Sequence, residues 1–348
     1  NALSATTTVG YNTAVGQGAM LATTTGGYNV AMGVDAMVAN TTGQENTAVG
    51  YQALKANTTA HNNTAIGRLA LLLNTTGAEN TAVGAAALDG NTTGNYNTAV
   101  GTASLGSNTT ANSNTAIGYI ALNANTTGDL NVACGAYALD SNTVGDRSVA
   151  VGYAALHSQN PTSNADMNNV GVGLNAGAGV TTGSGNTLLG SEAGDVLTTG
   201  ANNTVIGYAS DPSSATVSNE FTLGNTNVAS LRCADTSISS LSDRRDKKDI
   251  IDSTYGLEFI NQIRPVQFTW DRRNLVKGDL ESTHNGKTRV GFISQELQEA
   301  MKDNSNEILD LVYEENPERL EVKQGKLIPI LTKAVQELSA KVEELESK

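Results

Sequence analysis

Glycine returns every seventeen residues through the first two thirds of the chain, and so short a period excludes most ways a polypeptide can fold. The series runs Gly16, Gly33, Gly50, Gly67, Gly84, Gly101, Gly118, Gly135 and Gly152. Four residues are inserted around residues 160–164, and it resumes at Gly173, Gly190, Gly207 and Gly224, thirteen copies in all. A fixed short period is the mark of a solenoid, whose units bury their apolar faces on their neighbours. The unit is too small for the helix pair of a helical repeat, but it holds two short strands and two turns. It reads Asn46-Thr47-Ala48-Val49-Gly50, then Ala53-Leu54, then a Thr-Thr-Gly segment.

Each glycine is preceded by a larger apolar residue (Val15, Val49, Ile66, Val83, Val100, Ile117), and in the first nine copies that residue by alanine (Ala14, Ala48, Ala65, Ala82, Ala99, Ala116). Neighbouring strand residues face opposite sides. The expected arrangement puts the larger row inside the coil and the alanine row outside, where another backbone can approach. A coil so thin is expected to pack against copies of itself. The asparagines four residues before each glycine (Asn12, Asn29, Asn46, Asn63, Asn80, Asn97, Asn114, Asn131) and the Thr-Thr-Gly segments belong at turns, with the amides stacked as ladders. Thirteen turns at about 4.8 Å give a rod of about 60 Å.

Several functions that such a rod could carry find little support. Asn-Thr-Thr at Asn40, Asn57, Asn74, Asn91, Asn108 and Asn125 has the form of a glycosylation acceptor, but turn chemistry repeated with the coil accounts for it. Ice binding needs threonine rows on one face, and Thr41 and Thr42 point apart. Calcium-binding coils need an aspartate in every repeat, and none is periodic. Glycan cleavage needs two carboxylates at a set separation. Asp129 and Asp146 share a register in adjacent turns, and Glu45 and Glu79 two turns apart; both pairs are expected to be exposed turn residues. Cys134 occupies a slot filled elsewhere by Val or Ile, and with Cys233 makes no disulfide framework. The three histidines give no zinc pattern, so no metal or cofactor is expected.

Charge marks a second region. Up to Ser240 there are 4 basic and 13 acidic residues, and afterwards 17 and 21. An acidic balance without a basic block argues against nucleic acid as partner. No apolar run of about 18 residues is present to insert in a membrane. There is no signal-peptide pattern, and a chain opening on Asn1 reads as a fragment. The expected division is residues 1–230 as solenoid, 231–241 as linker, and 242–348 as a separate domain.

The second region opens with Ser242-Asp243-Arg244-Arg245-Asp246-Lys247-Lys248. Leu257-Glu258-Phe259-Ile260 and Ile263-Arg264-Pro265-Val266-Gln267-Phe268-Thr269-Trp270 follow. Then come Val290-Gly291-Phe292-Ile293-Ser294-Gln295-Glu296-Leu297 and Leu327-Ile328-Pro329. Taken alone, the charged run is a solvated turn. The order of all these motifs resembles the self-cleaving intramolecular chaperone at the C-terminus of phage endosialidases and tail fibres, over residues 242–348. The repeats resemble the parallel β-roll of trimeric adhesin heads, in architecture only.

What the resemblance implies is a serine nucleophile at Ser242, a general base at Lys247 and a cut between Leu241 and Ser242, with Asp243 and Arg245 as positioning residues. Lys248 is a rival base that the sequence does not separate from Lys247. A serine hydroxyl needs a base to take its proton, and an exposed lysine is almost wholly protonated at neutral pH. Burial on assembly is therefore expected to make cleavage conditional on folding.

In the tail, Ile328, Leu331, Val335, Leu338, Val342 and Leu345 alternate spacings of 3 and 4, the seam of a coiled coil over 327–348. An amphipathic helix folded onto its own domain is the alternative. The expected fold is mainly β: a trimeric parallel β-roll or β-solenoid of 17-residue repeats, then a small α+β domain ending in a coiled-coil helix. The expected role is a homotrimeric phage tail fibre of the virion that attaches to a host surface glycan or protein receptor. A bacterial cell-surface adhesin with the same cassette and a glycan-degrading tailspike are the alternatives.

Overall fold

The computed structural model describes residue 3 and residues 10–228, 230–232, 242–269, 288–302, 306–314 and 320–348. The chain divides into two compact units, Asn1–Val228 and Ala229–Lys348.

The first unit is a parallel β-solenoid. Thirteen strands of three residues each, from Thr13–Val15 to Phe221–Leu223, pair in sequence order into one sheet. The register is that of the glycine period: Thr47 lies beside Thr64, Ala48 beside Ala65 and Val49 beside Ile66. Where the repeat is interrupted, Val149 pairs with Val170 without loss of register. The inserted residues add a small parallel pair, Gly145–Asp146 with Ala165–Asp166.

The strand faces are the reverse of the expected arrangement. Ala48, Ala65, Ala82, Ala99 and Ala116 are fully buried, whereas Ile66 and Ile117 are each 41% exposed and Val15 is 55% exposed. The reason lies across the coil. Leu54, Leu71, Leu88, Leu105 and Leu122, four residues after each glycine, point inward and are completely buried. A leucine from one wall and an alanine from the other fill the interior. Where the strand residue is large the opposite wall shrinks: Leu188 faces Gly194, and a Cβ at Gly194 would lie 2.8 Å from Leu188 Cδ2. The two rows share one volume, and cores conserve volume before identity.

These leucines sit in left-handed backbone, with φ of 51° at Leu54 and 52° at Leu71 and Leu122. That conformation costs a side chain roughly 1–2 kcal/mol. Full burial of a leucine returns about 1.5–3 kcal/mol, enough to hold the corner.

Tight turns strand backbone groups, and asparagine satisfies them. Asn46 donates its amide to Ala60 O at 2.8 Å, and its backbone N–H donates to Asn29 Oδ1 at 3.0 Å. A second ladder runs through the Asn-Thr-Thr positions: Asn57 Nδ2 donates to Asn40 Oδ1 at 3.0 Å, and Asn74 Nδ2 to Asn57 Oδ1 at 3.1 Å. Asn40, Asn57, Asn74, Asn91, Asn108 and Asn125 are all fully buried, so none presents its amide to a glycosylating enzyme. At the interruption Ser148 and Gln159 replace two asparagines and join the ladders, with Ser148 Oγ donating to Gln159 Oε1 at 3.1 Å.

The second unit is built from short pieces. Strand Val266–Phe268 pairs antiparallel with Arg289–Gly291, and Val312–Tyr313 with Glu321–Val322. The helices are α1 (Leu257–Ile260), α2 (Ser294–Ala300), α3 (Asn306–Leu309) and α4 (Leu327–Glu346). Phe259, Leu297, Met301, Leu309, Leu311, Val312, Leu327 and Ile330 form its core.

Helix α4 carries two apolar faces. Leu327, Ile330 and Ala334 are buried against the unit, and Glu337 accepts the Leu257 backbone N–H at 2.8 Å, bonding a first-turn amide of α1. Gly256 lies where a Cβ would come within 2.5 Å of the Glu337 carboxylate. The heptad seam lies on the other side. Ile328 and Val335 are each 65% exposed, and Leu331, Leu338, Val342 and Leu345 are exposed too. The helix therefore packs on its own domain and still presents the seam.

Candidate functional site: the serine–lysine turn

The charged run folds as one tight turn. Asp243 is extended and caps the 3-10 helix Arg244–Asp246: its Oδ1 accepts the Arg245 backbone N–H at 2.9 Å. The capping aspartate is held in turn by the Arg245 guanidinium, Nη2 to Oδ2 at 2.6 Å and Nε to both oxygens at 3.1 Å. Those bonds hold the Asp243 carboxyl below the ordinary carboxylate value. The Lys247 backbone N–H donates to Arg244 O at 3.2 Å and closes the turn.

The turn brings together two side chains five positions apart. Lys247 Nζ donates to Ser242 Oγ at 2.7 Å, within the reach a general base needs of the proton it removes. The lysine amine is the acceptor for catalysis only when neutral, so the contact has the right partners and the protonation state decides its chemistry. Ser242, Asp243, Arg245, Lys247 and Lys248 are all exposed in the chain. Leu241, on the other side of the expected cut, lies outside the described residues, as do Cys233 and Trp270.

One link between the quoted motifs was not foreseen. Arg264 Nε donates to Glu296 Oε2 at 3.1 Å, and Nη2 pairs with Oε1 of the same carboxylate. The Arg-Pro segment and the Gln-Glu segment are thus joined across 32 residues. The opposite charges were visible in the sequence; their proximity was not, because the strands Val266–Phe268 and Arg289–Gly291 lie between them in the chain.

The carboxylates of the solenoid serve its backbone. Asp129 Oδ1 accepts the Asn112 N–H at 2.6 Å, and Asp146 Oδ1 accepts the Asp129 N–H at 2.7 Å. One turn earlier Asn112 Oδ1 does the same for Asn95 at 2.9 Å. Glu45 and Glu79 are exposed turn residues. Among the described residues no cluster of His, Cys, Asp and Glu could hold a metal ion, and no helix is long and apolar enough to cross a membrane.

Asp146 gives a pH prediction. Partial burial pushes its carboxyl above the ordinary aspartate value, against the lowering bond from Asp129, with Asp129 and Asp166 adding repulsion. A carboxyl whose folded value is raised binds its proton more tightly in the native state, so stability falls as pH rises through that window. Asp146→Asn keeps the accepting oxygen and sheds the charge. Its melting temperature is expected to exceed wild type at pH 7, with the gain shrinking at about pH 3, below the ordinary aspartate range. An equal gain at both pH values would assign the effect to something other than ionisation.

Comparison with known proteins bears on the second unit. Residues 242–305 match the family described as chaperone of endosialidase. The match begins at Ser242 and ends just before α3, so it contains the serine–lysine turn and both members of the Arg264–Glu296 pair. No curated protein and no solved structure matches the chain. The C-terminal unit therefore carries a chaperone domain of the endosialidase kind.

Proposed function

We propose that the chain is a homotrimeric tail-fibre protein of a virion, whose solenoid meets a host surface glycan or protein receptor and whose C-terminal domain assembles three copies and then cuts itself off. The observation that carries this reading is the 2.7 Å contact between Lys247 Nζ and Ser242 Oγ at the first residue of the chaperone match. In the cut, Ser242 Oγ attacks the Leu241 carbonyl as its proton passes to the Lys247 amine. The amine then protonates the Ser242 nitrogen as the peptide C–N bond breaks, and water releases the acyl group from Oγ. Asp243 and Arg245 hold the turn in which this happens.

The kinetic logic favours a chaperone that leaves. Parallel pairing closes long loops before contacts reward it, so three solenoids assembling unaided are slow and exposed to aggregation. A C-terminal trimeriser raises the effective concentration of the chains and fixes their register. The exposed seam of α4 is the feature that would join three copies there. Cleavage after assembly removes the trimeriser and leaves the fibre kinetically trapped.

The denatured mass of the folded product tests the reading. Wild type is expected to give fragments of 241 and 107 residues, and Ser242→Ala a single intact chain. A wild-type protein that folds into a trimer and stays whole would leave an assembly domain without protease activity.

A further inference from the structure

We infer that the outward aliphatic row of the solenoid sheet is the seam along which copies of this chain meet in register, an inference that rests on the homotrimer reading and locates its interface. The row is made by the residue before each glycine. It includes Val15, Ile66, Ile117, Cys134, Leu189 and Leu223, and no position in its thirteen strands is charged. Val15 is 55%, Leu189 46% and Leu223 48% exposed. Twelve steps of about 4.8 Å make the row about 58 Å long, a continuous apolar strip of a kind that marks an interaction site. Two positions on, the exposed Tyr51 and Leu174 widen it locally, while Arg68 and Gln17 in the same column mark a polar margin.

The spacing selects the partner. Side chains repeating at 4.8 Å interdigitate along their whole length only with a surface of the same repeat. An α-helix, at 5.4 Å per turn, would be out of step by about 7 Å over twelve turns. Another copy of this solenoid has the same repeat, and it has it with the same interruption at the same height. In register, the apolar residues of the row meet apolar residues, and the row itself holds no charge. Helix α4 carries a second exposed apolar seam in the other unit of the same chain, which demands a partner independently. The inward alanine row cannot serve, because from Ala31 to Ala150 it is fully buried inside the coil.

Disulfide trapping tests the seam in the full chain, with Cys134→Ser and Cys233→Ser as background. Val83→Cys and Ile117→Cys place thiols in the row; Thr93→Cys places one on the exposed Thr-Thr turn ten residues on from Val83. Sedimentation gives the assembly state, and copper-catalysed oxidation followed by a denaturing gel gives the contacts. Trimers are expected throughout, with covalent dimers for Val83→Cys and Ile117→Cys in at least about tenfold excess over Thr93→Cys, since a disulfide needs Cβ atoms roughly 3.5–4.5 Å apart. Co-expressed Val83→Cys and Ile117→Cys chains are expected to cross-link only like to like, being two coils or about 10 Å apart along the rod. Trimers that cross-link through Thr93→Cys, or not at all through the row, would overturn the seam and leave the homotrimer standing. Mixed Val83–Ile117 cross-links would overturn the register, and a single chain in sedimentation would overturn seam and homotrimer together.

Discussion

Gly84→Ala is expected to open the solenoid around that coil, with a large loss of stability for a single added methyl. Gly84 has φ of +139°, a region that residues with a Cβ scarcely enter, and an added Cβ would lie 2.5 Å from Gly101 O and 2.6 Å from Gly101 C in the next coil. Neither neighbour is the end of a flexible side chain. Relief requires the two coils to separate, which breaks the bonds between them, Gly101 N–H to Val83 O at 2.8 Å and Ala103 N–H to Ala85 O at 3.0 Å. Backbone strain alone is worth about 1–3 kcal/mol, and with the collision the loss should reach about 4 kcal/mol or more, the range kept for severe lesions. A solenoid is stabilised coil by coil, so the damage should be local first. Hydrogen exchange at the amides of Gly84 and Gly101 is expected to accelerate before that of Gly190, and the urea midpoint to fall. Gly10→Ala is the control, since a Cβ there meets nothing within 4 Å. If Gly84→Ala unfolds with the midpoint of Gly10→Ala, the close approach of coils is not what fixes glycine in the repeat.

The same glycines explain how far the fold could be read in advance. Their period gave the coil, its strand and its interruption, because each glycine of the series before Gly224 lies against its own copy in the next turn. The asparagine ladders followed from the same repetition. The assignment of inside and outside failed at Ala48 and Val49 because alternation distinguishes two faces without saying which encloses the core. The deciding signal lay between residues on opposite walls: Ala65 occurs with Leu71, whereas Leu188 occurs with Gly194, a size exchange that only a shared interior requires. In the second unit the Ser-Asp-x-Arg-x-Lys run carried its own geometry, because capping and turn closure act within five residues. The Arg264–Glu296 pair and the Glu337 contact at α1 depend on the tertiary path, and no local rule reaches across 32 or 80 residues.

Lys247→Ala is expected to leave the chain whole after folding, while Lys248→Ala still cuts. The two lysines are neighbours with the same charge, so any bulk electrostatic effect on Ser242 would be shared between them. The turn separates them: Arg244–Asp246 and its Asp243 cap deliver Lys247 Nζ to within 2.7 Å of Ser242 Oγ. Removing a positioned general base slows a reaction by about 10²–10⁴-fold, enough to turn a completed cut into an intact chain on the timescale of preparation. Lys247→Arg should fail as well, because a guanidinium keeps its proton and cannot take one from serine. Trimer formation measured beside cleavage separates chemistry from assembly: Lys247→Ala is expected to assemble as well as wild type, because its side chain is exposed and outside the core of the unit. If Lys247→Ala cuts at the wild-type rate, the contact to Ser242 is a surface hydrogen bond and the base lies elsewhere. If it neither assembles nor cuts, Lys247 supports the trimer, and an assembled Lys247→Arg variant that stays whole would still assign it the proton transfer.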